Sequence, residues 1–167
     1  PAVIKNMRTL LHLEKARCFV DSFERSNIAY KIWNTEDKFN SLIQLLNYHK
    51  GSSIVYCNTR KQTEHLAELI NQSGHSADFF HGGLLAEEKK QKLASWQKGS
   101  ITHMIATTAF GMGIDKADVR LVIHTQLPHS IENFYQETGR AGRDKKPAST
   151  YLLVHSGDAR TLKSQFL

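Results

Sequence analysis

Apolar residues recur along the chain at two periods, and the switches between them predict its elements. Ile4, Met7, Leu10 and Leu11 share one helical face over residues 3–11. Two short apolar stretches, 18–23 and 27–33, suit strands or extended chain. Phe39, Leu42, Ile43 and Leu46 return to helical spacing, with Thr35 as the expected N-cap, Glu36 and Asp37 in the first turn and Gly51 as the stop. Residues 54–57 form the unbroken apolar run of a buried strand. Thr59 and Gln62 have capping-box spacing, so a helix starts there, faces inward through Leu66, Leu69 and Ile70, and closes at Gly74. A short strand is expected at 77–80. The helix at 86–98 packs Leu93 and Trp96, turns Glu87, Glu88, Lys89, Lys90 and Lys92 to solvent, and ends at Gly99. Strands follow at 103–107 and 119–124. Pro128 then breaks the chain, and Ser130 caps a helix whose inner face is Ile131, Phe134, Tyr135 and Thr138. A strand at 148–154 and the start of a helix at 158–167 complete the pattern.

Strand and helix signals alternate from residue 54 onward. That argues an α/β domain with a mainly parallel sheet and right-handed crossovers. A chain of 167 residues holds one such core. The two cysteines, Cys18 and Cys57, are too few for a disulfide framework or a zinc site, which points to a reducing, intracellular home. No apolar run could cross a bilayer as a helix. The nine histidines are scattered without helical ligand spacing, so no metal site is expected, and surface or loop positions suit them. The net charge of +6 favours a polyanionic partner without saying which face meets it.

The candidate chemistry centres on residues 135–144, YQETGRAGRD. Gln136, Arg140 and Arg143 point to one side if the helix runs to about Gly139. Gly139 and Gly142 let the backbone leave the helix and approach a ligand closely. Guanidinium groups grip phosphate oxygens in pairs, although a basic helix end followed by a polar turn would read the same way. Further upstream, Thr59, Arg60 and Lys61 follow a strand at a helix N-terminus, a geometry suited to anions. His81-Gly82-Gly83 follows the next strand. Thr107, at the end of another, can reach a phosphate, and the glycine-bent loop after it carries Asp115, a carboxylate that can take a ribose hydroxyl or cap the next turn. Ligands in open α/β sheets sit at such strand ends. No GxxxxGK[ST] loop and no D-E-x-H box occur in the chain.

Residues 135–144 resemble motif VI of superfamily 2 helicases, in the wording of the RecQ family. Residues 106–118, ATTAFGMGIDKAD, resemble its motif V, and residues 54–60, IVYCNTR, its motif IV. The motifs stand in the family's order, and the resemblance covers roughly residues 22–163. It implies the second RecA-like lobe of an ATP-dependent DNA helicase, a three-layer P-loop NTPase-type fold without its own Walker loop. It implies Arg143 as the arginine finger on the γ-phosphate, with Arg140 beside it and Gln136 linking that region to neighbouring motifs. Gly113 and Asp115 would lie against the nucleotide, and Thr59, Arg60, Lys61, His81, Gly82 and Thr107 against the DNA backbone.

The implied ligands are ATP with Mg²⁺, bound mainly by a first lobe in cis, and single-stranded or forked DNA, tracked 3′ to 5′. The resemblance divides the chain into a tail helix of the preceding lobe (1–13), the lobe itself (14–158) and the start of a connection to a zinc and winged-helix region (159–167). On that reading the chain is an excised piece, inactive alone, from a nucleoid or nuclear protein. An "SF-R-N" segment, Ser22-Phe23 to Arg25 and Asn27, enters the lobe. The sequence departs from the family at Ser26, Ala29 and Lys145-Lys146, the last pair standing where a glycine is commoner. The alternatives are a DEAD-box-type RNA helicase lobe, whose motif VI usually begins His-Arg where this chain has Tyr135-Gln136, and a non-catalytic nucleic-acid-binding module.

Overall fold

The computed structural model describes residues 2–17, 19, 24–111 and 114–158. Its elements in chain order are α1 (Ala2–Leu10), β1 (Ile28–Asn34), α2 (Lys38–Tyr48), β2 (Ser52–Tyr56), α3 (Arg60–Gln72), β3 (Ala77–Phe80), α4 (Ala86–Lys98), β4 (His103–Ala106), β5 (Val119–His124), α5 (Ile131–Thr138) and β6 (Ala148–Val154). Six strands form one sheet in the order β1-β6-β5-β2-β4-β3. Every pairing is parallel, as the alternation of strand and helix signals requires. The expected stretch at 18–23 falls, apart from Phe19, outside the described residues, as does the expected helix beyond Asp158.

Side-chain alternation splits the core across the sheet. On β2, Ile54 and Tyr56 enter one cluster, with Met104, Trp96 and Phe110. Val55, and Cys57 just past the strand, enter the other, with Leu42, Leu45 and Leu46 of α2 and Ala67 and Ile70 of α3. A period of two along buried strands and helices on both faces give a three-layer α/β/α sandwich.

Four expectations change. Asp37, not Thr35, caps α2: its carboxylate accepts from Asn40 N at 2.9 Å, while Thr35 Oγ1 accepts from Asp37 N one turn earlier. The inner face of α5 is Phe134, Glu137 and Thr138; Ile131 is 83 % exposed, because the helix turns Glu137 inward to a buried hydrogen bond with His124. Three histidines are core residues: His81, His103 and His124. Finally, Lys92 is no solvated charge. It pairs with Asp78 and lies 3.8 Å from the centre of the Phe79 ring, its stem covering the edge strand β3.

Candidate functional site

The segment after α5 does not continue the helix. Arg140 N donates to Glu137 O and Ala141 N to Thr138 O, so the chain tightens to three-residue turns. The spacing that would align Gln136, Arg140 and Arg143 no longer applies, and they separate. Gln136 and Arg143 are exposed, whereas Arg140 is buried. Gly139 is right-handed at φ −62°; the glycine that leaves the helical region is Gly142, at φ +55°.

Each arginine is tied to the glycine-bent loop before β5. Arg143 Nη1 donates to Ile114 O at 2.8 Å and to Asp115 Oδ1 at 3.2 Å. Asp115 is otherwise open to solvent, so the ion pair itself adds little stability; its effect is to bring two candidate residues together. Arg140 lies under the same loop, with Nη2 3.0 Å from where a Gly111 Cβ would stand. A side chain at Gly111 would press on that buried guanidinium and push it away by a few tenths of an ångström. Burial pushes the Tyr56 hydroxyl pKa well up, against the pull of the nearby Arg140 charge. Gly113 lies outside the described residues.

Residues that periodicity does not flag hold this arginine turn. The Arg25 guanidinium donates to the carbonyls of Gly139, Ala141 and Gly142 at 3.4, 3.2 and 2.9 Å. Asn27 Nδ2 donates to Gly142 O and Lys146 O. Arg120 pairs with Asp144 at 2.6 Å and donates to Pro147 O. Gly142 N and Asp144 N donate to Val119 O and Ala117 O, which sets the turn beside the start of β5. Asp115 and Arg143 therefore meet at that end of the strand and not at a strand C-terminus, where the general rule for such sheets would put them. The one signal in the sequence was the Arg25–Asn27 segment.

The candidates for nucleic-acid contact come together at the C-terminal ends of the neighbours β2, β4 and β3. Thr59 caps α3 with Gln62 in a complete capping box, and Thr59, Arg60 and Lys61 are exposed. Arg60 crosses to the next turn: its Nη1 is 2.8 Å from where a Gly83 Cβ would stand. Gly83 is thus the glycine of close approach; Gly82 has only the Ala109 Cβ, at 3.8 Å. The Gly82 carbonyl accepts from Lys89 Nζ at 3.0 Å. His81 is not the open side chain its loop position suggests. Its Nε2 faces Glu64 Oε1 at 2.8 Å and its ring stacks on Phe79. Thr107 is half-buried, with its N–H on Phe80 O. One end of the sheet thus carries Thr59, Arg60, Lys61, Gly82 and Thr107, while Asp115, Arg140 and Arg143 flank the loop that runs on from Thr107.

Among the described residues, no group of three or more His, Cys, Asp or Glu could hold a metal ion, and no helix is long and apolar enough to cross a membrane.

Residues 37–145 match the model of the helicase conserved C-terminal domain. The chain is 41 % identical over 152 residues to the ATP-dependent DNA helicase RecQ of Pasteurella multocida, covering 89 % of this chain and 24 % of that protein. It is 38 % identical over 168 residues to the ATP-dependent DNA helicase Q1 of Pongo abelii, covering 97 % and 26 %. Among solved structures, a DEAD box protein from Methanococcus jannaschii superposes with a TM-score of 0.74 at 26 % identity, covering 94 % of this chain and 45 % of that one. The chain spans about a quarter of the length of the two curated relatives.

Proposed function

The chain belongs to the helicase conserved C-terminal domain family, with curated relatives that are RecQ-type helicases, and on that premise we propose that it is the second motor lobe of an ATP-dependent DNA helicase. The observation that carries this reading is the pairing of Arg143 with Asp115 over the loop that also buries Arg140. Mere nucleic-acid binding needs no such cluster. Arg143 is exposed at the surface and meets the γ-phosphate of an ATP bound on a first lobe; Arg140 supports it, and Asp115 faces the ribose side. Mg²⁺ belongs to that other lobe, since this one offers guanidinium donors. Charge developing on the transferred phosphoryl group is stabilised by Arg143, a contribution of about 10³–10⁵ in rate for such a finger. Thr59, Arg60, Lys61, Gly82 and Thr107 hold the DNA backbone at the sheet end. Because the loop leaving Thr107 leads to Asp115, nucleotide-driven closure of the lobes moves the DNA-holding end, in the 3′ to 5′ sense that the RecQ resemblance implies.

The experiment combines this chain with a matching first lobe and measures ATP turnover and oligonucleotide binding. Arg143→Ala abolishes turnover and leaves binding near its original value; equal loss of both counts against the finger. The likeness to a DEAD box protein supports an RNA helicase lobe as the second reading. Stimulation of turnover by DNA and by RNA, compared at one fixed salt concentration, separates the two.

A further inference from the structure

Four polar side chains lie end to end beneath the arginine turn, all buried: Glu137 is 6 % exposed, His124 2 %, Tyr56 4 % and Arg140 6 %. Glu137 Oε2 is 2.7 Å from His124 Nε2. A carboxylate only accepts, so Nε2 carries the hydrogen and donates it. The imidazole lies flat on the Tyr56 ring, centroids 5.1 Å apart and planes 18° apart, and Phe134 packs against it at 5.0 Å. Tyr56 Oη donates its one hydrogen to Phe110 O at 3.1 Å. The Arg140 charge lies close enough to this hydroxyl to oppose the rise that burial gives its pKa. The series starts on α5, crosses β5 and β2, and ends on the arginine that touches Gly111.

Such a series is costly as packing. Charged groups taken out of water lose several kcal/mol of hydration each, and apolar side chains of the same size would fill the space at least as well. It carries two buried nitrogens, His124 Nδ1 and Arg140 Nε, that have no hydrogen-bond partner among the described residues. What an apolar filling could not do is fix a guanidinium in direction. Arg143 reaches its contacts from the surface; Arg140 is buried, with the Gly111 backbone close against its guanidinium.

We propose that Glu137, His124 and Tyr56 are positioning residues for Arg140, holding its guanidinium against the loop at Gly111 and linking its position to β2, the strand that leads into the Thr59 cap. The inference rests on the reading that the arginine turn meets nucleotide phosphate. It adds a mechanical link through β2 between that turn and the strand end that carries Thr59, Arg60 and Lys61, alongside the loop from Thr107 to Asp115, which it touches at Phe110 and Gly111.

The test uses Tyr56→Phe, which removes one oxygen and keeps the stacked ring, with Glu137→Gln and His124→Phe as companions. Two quantities are measured. The first is solvent exchange of the Arg140 Nε–H in this chain, followed by nitrogen-resolved NMR. The second is ATP turnover in the two-lobe assembly. In folded Tyr56→Phe, exchange rises and kcat falls, each by about tenfold or more, while KM for ATP and oligonucleotide affinity move less than about threefold. A purely structural role would lower the unfolding midpoint and leave the kcat of the folded protein alone. Unchanged exchange, or unchanged kcat, in folded Tyr56→Phe overturns the proposal even if either companion variant fails to fold. Arg143→Ala serves as the separate control: if it too leaves turnover intact, the nucleotide-facing reading falls first.

Discussion

Asn27 Nδ2 donates to the carbonyl of Gly142 at 2.8 Å, and the same nitrogen stands 2.5 Å from where a Gly142 Cβ would be built. The close approach that makes the bond therefore requires a residue without a side chain. Gly142 is also at φ +55°, and its imagined Cβ would lie 2.8 Å from Lys146 O. Gly142→Ala meets a left-handed backbone, costing about 1–2 kcal/mol, and a clash costing about 1–3 kcal/mol more. A loss of roughly 2–5 kcal/mol in urea unfolding is the expected outcome. A variant within about 0.5 kcal/mol of the parent would mean that the turn is looser than this packing implies.

Lys145 has the opposite relation to its backbone. It sits at φ +64° with its side chain exposed, so the conformation is a cost with no packing in return. Its N–H closes the turn on Gly142 O at 3.0 Å, which keeps it there. The resemblance leads one to expect a glycine at the Lys145-Lys146 pair, and the left-handed dihedral at Lys145 is a backbone that glycine takes without strain. Lys145→Gly removes about 1–2 kcal/mol of left-handed strain and returns part of it, about 0.4–1 kcal/mol, as extra freedom in the unfolded chain. A net gain of up to about 1.6 kcal/mol should appear as a higher urea midpoint with unchanged slope.

Much of this fold was legible because the signals were local. β3, α4, β5 and β6 begin and end where residues 77–80, 86–98, 119–124 and 148–154 were expected. Short compact apolar runs marked the strands, and Gly99, at φ +82°, stopped α4. The Thr59–Gln62 box was readable for the same reason, since both halves lie within four residues. What was not legible depends on residues far apart in the chain. The burial of Arg140 follows from its fit beneath Gly111 and onto Tyr56. Glu137 reads as a surface charge until His124 is set opposite it. His81 reads as an exposed loop residue until Glu64, on the next helix face, is brought to it. The strand order, with β1 on the far side of β6, had no local marker at all.

A pH dependence follows from the histidines that the fold buries. Burial, with His75 nearby, pushes the His103 imidazole down to about 4 from an ordinary 6.5. Burial and the charge of Lys31 move His49 in the same direction. The unfolded chain therefore binds protons that the native chain refuses, and stability rises with pH across that window. The contribution is complete above pH 6.5 and is lost as pH falls toward about 4, to a limit of about 3 kcal/mol for His103. Urea midpoints at a series of pH values should fall through this range. His103→Gln, which keeps a partner for Ser53 Oγ, should flatten the fall while leaving the midpoint at neutral pH within about 1 kcal/mol.

Arg25 supplies the last prediction. Its guanidinium gathers the carbonyls of Gly139, Ala141 and Gly142 where α5 breaks into turns, the last of which also accepts from Lys145 N. A fork of fixed N–H directions spans three carbonyls; an ammonium concentrates its donors at one point and cannot. Arg25→Lys should therefore behave more like Arg25→Ala than like the parent, losing about 1–3 kcal/mol of stability through carbonyls left short of donors. Because Asn27 serves Gly142 O as well, the two residues should be coupled: Arg25→Ala with Asn27→Ala should differ from the sum of the single changes by about 0.5 kcal/mol or more. The same loosening should reach Arg143, one residue beyond Gly142, so the Arg25 variants should lower ATP turnover in the two-lobe assembly while leaving the C-terminal strand ends, and oligonucleotide binding there, intact. A variant that weakens binding as strongly as turnover would show instead that Arg25 supports the whole lobe.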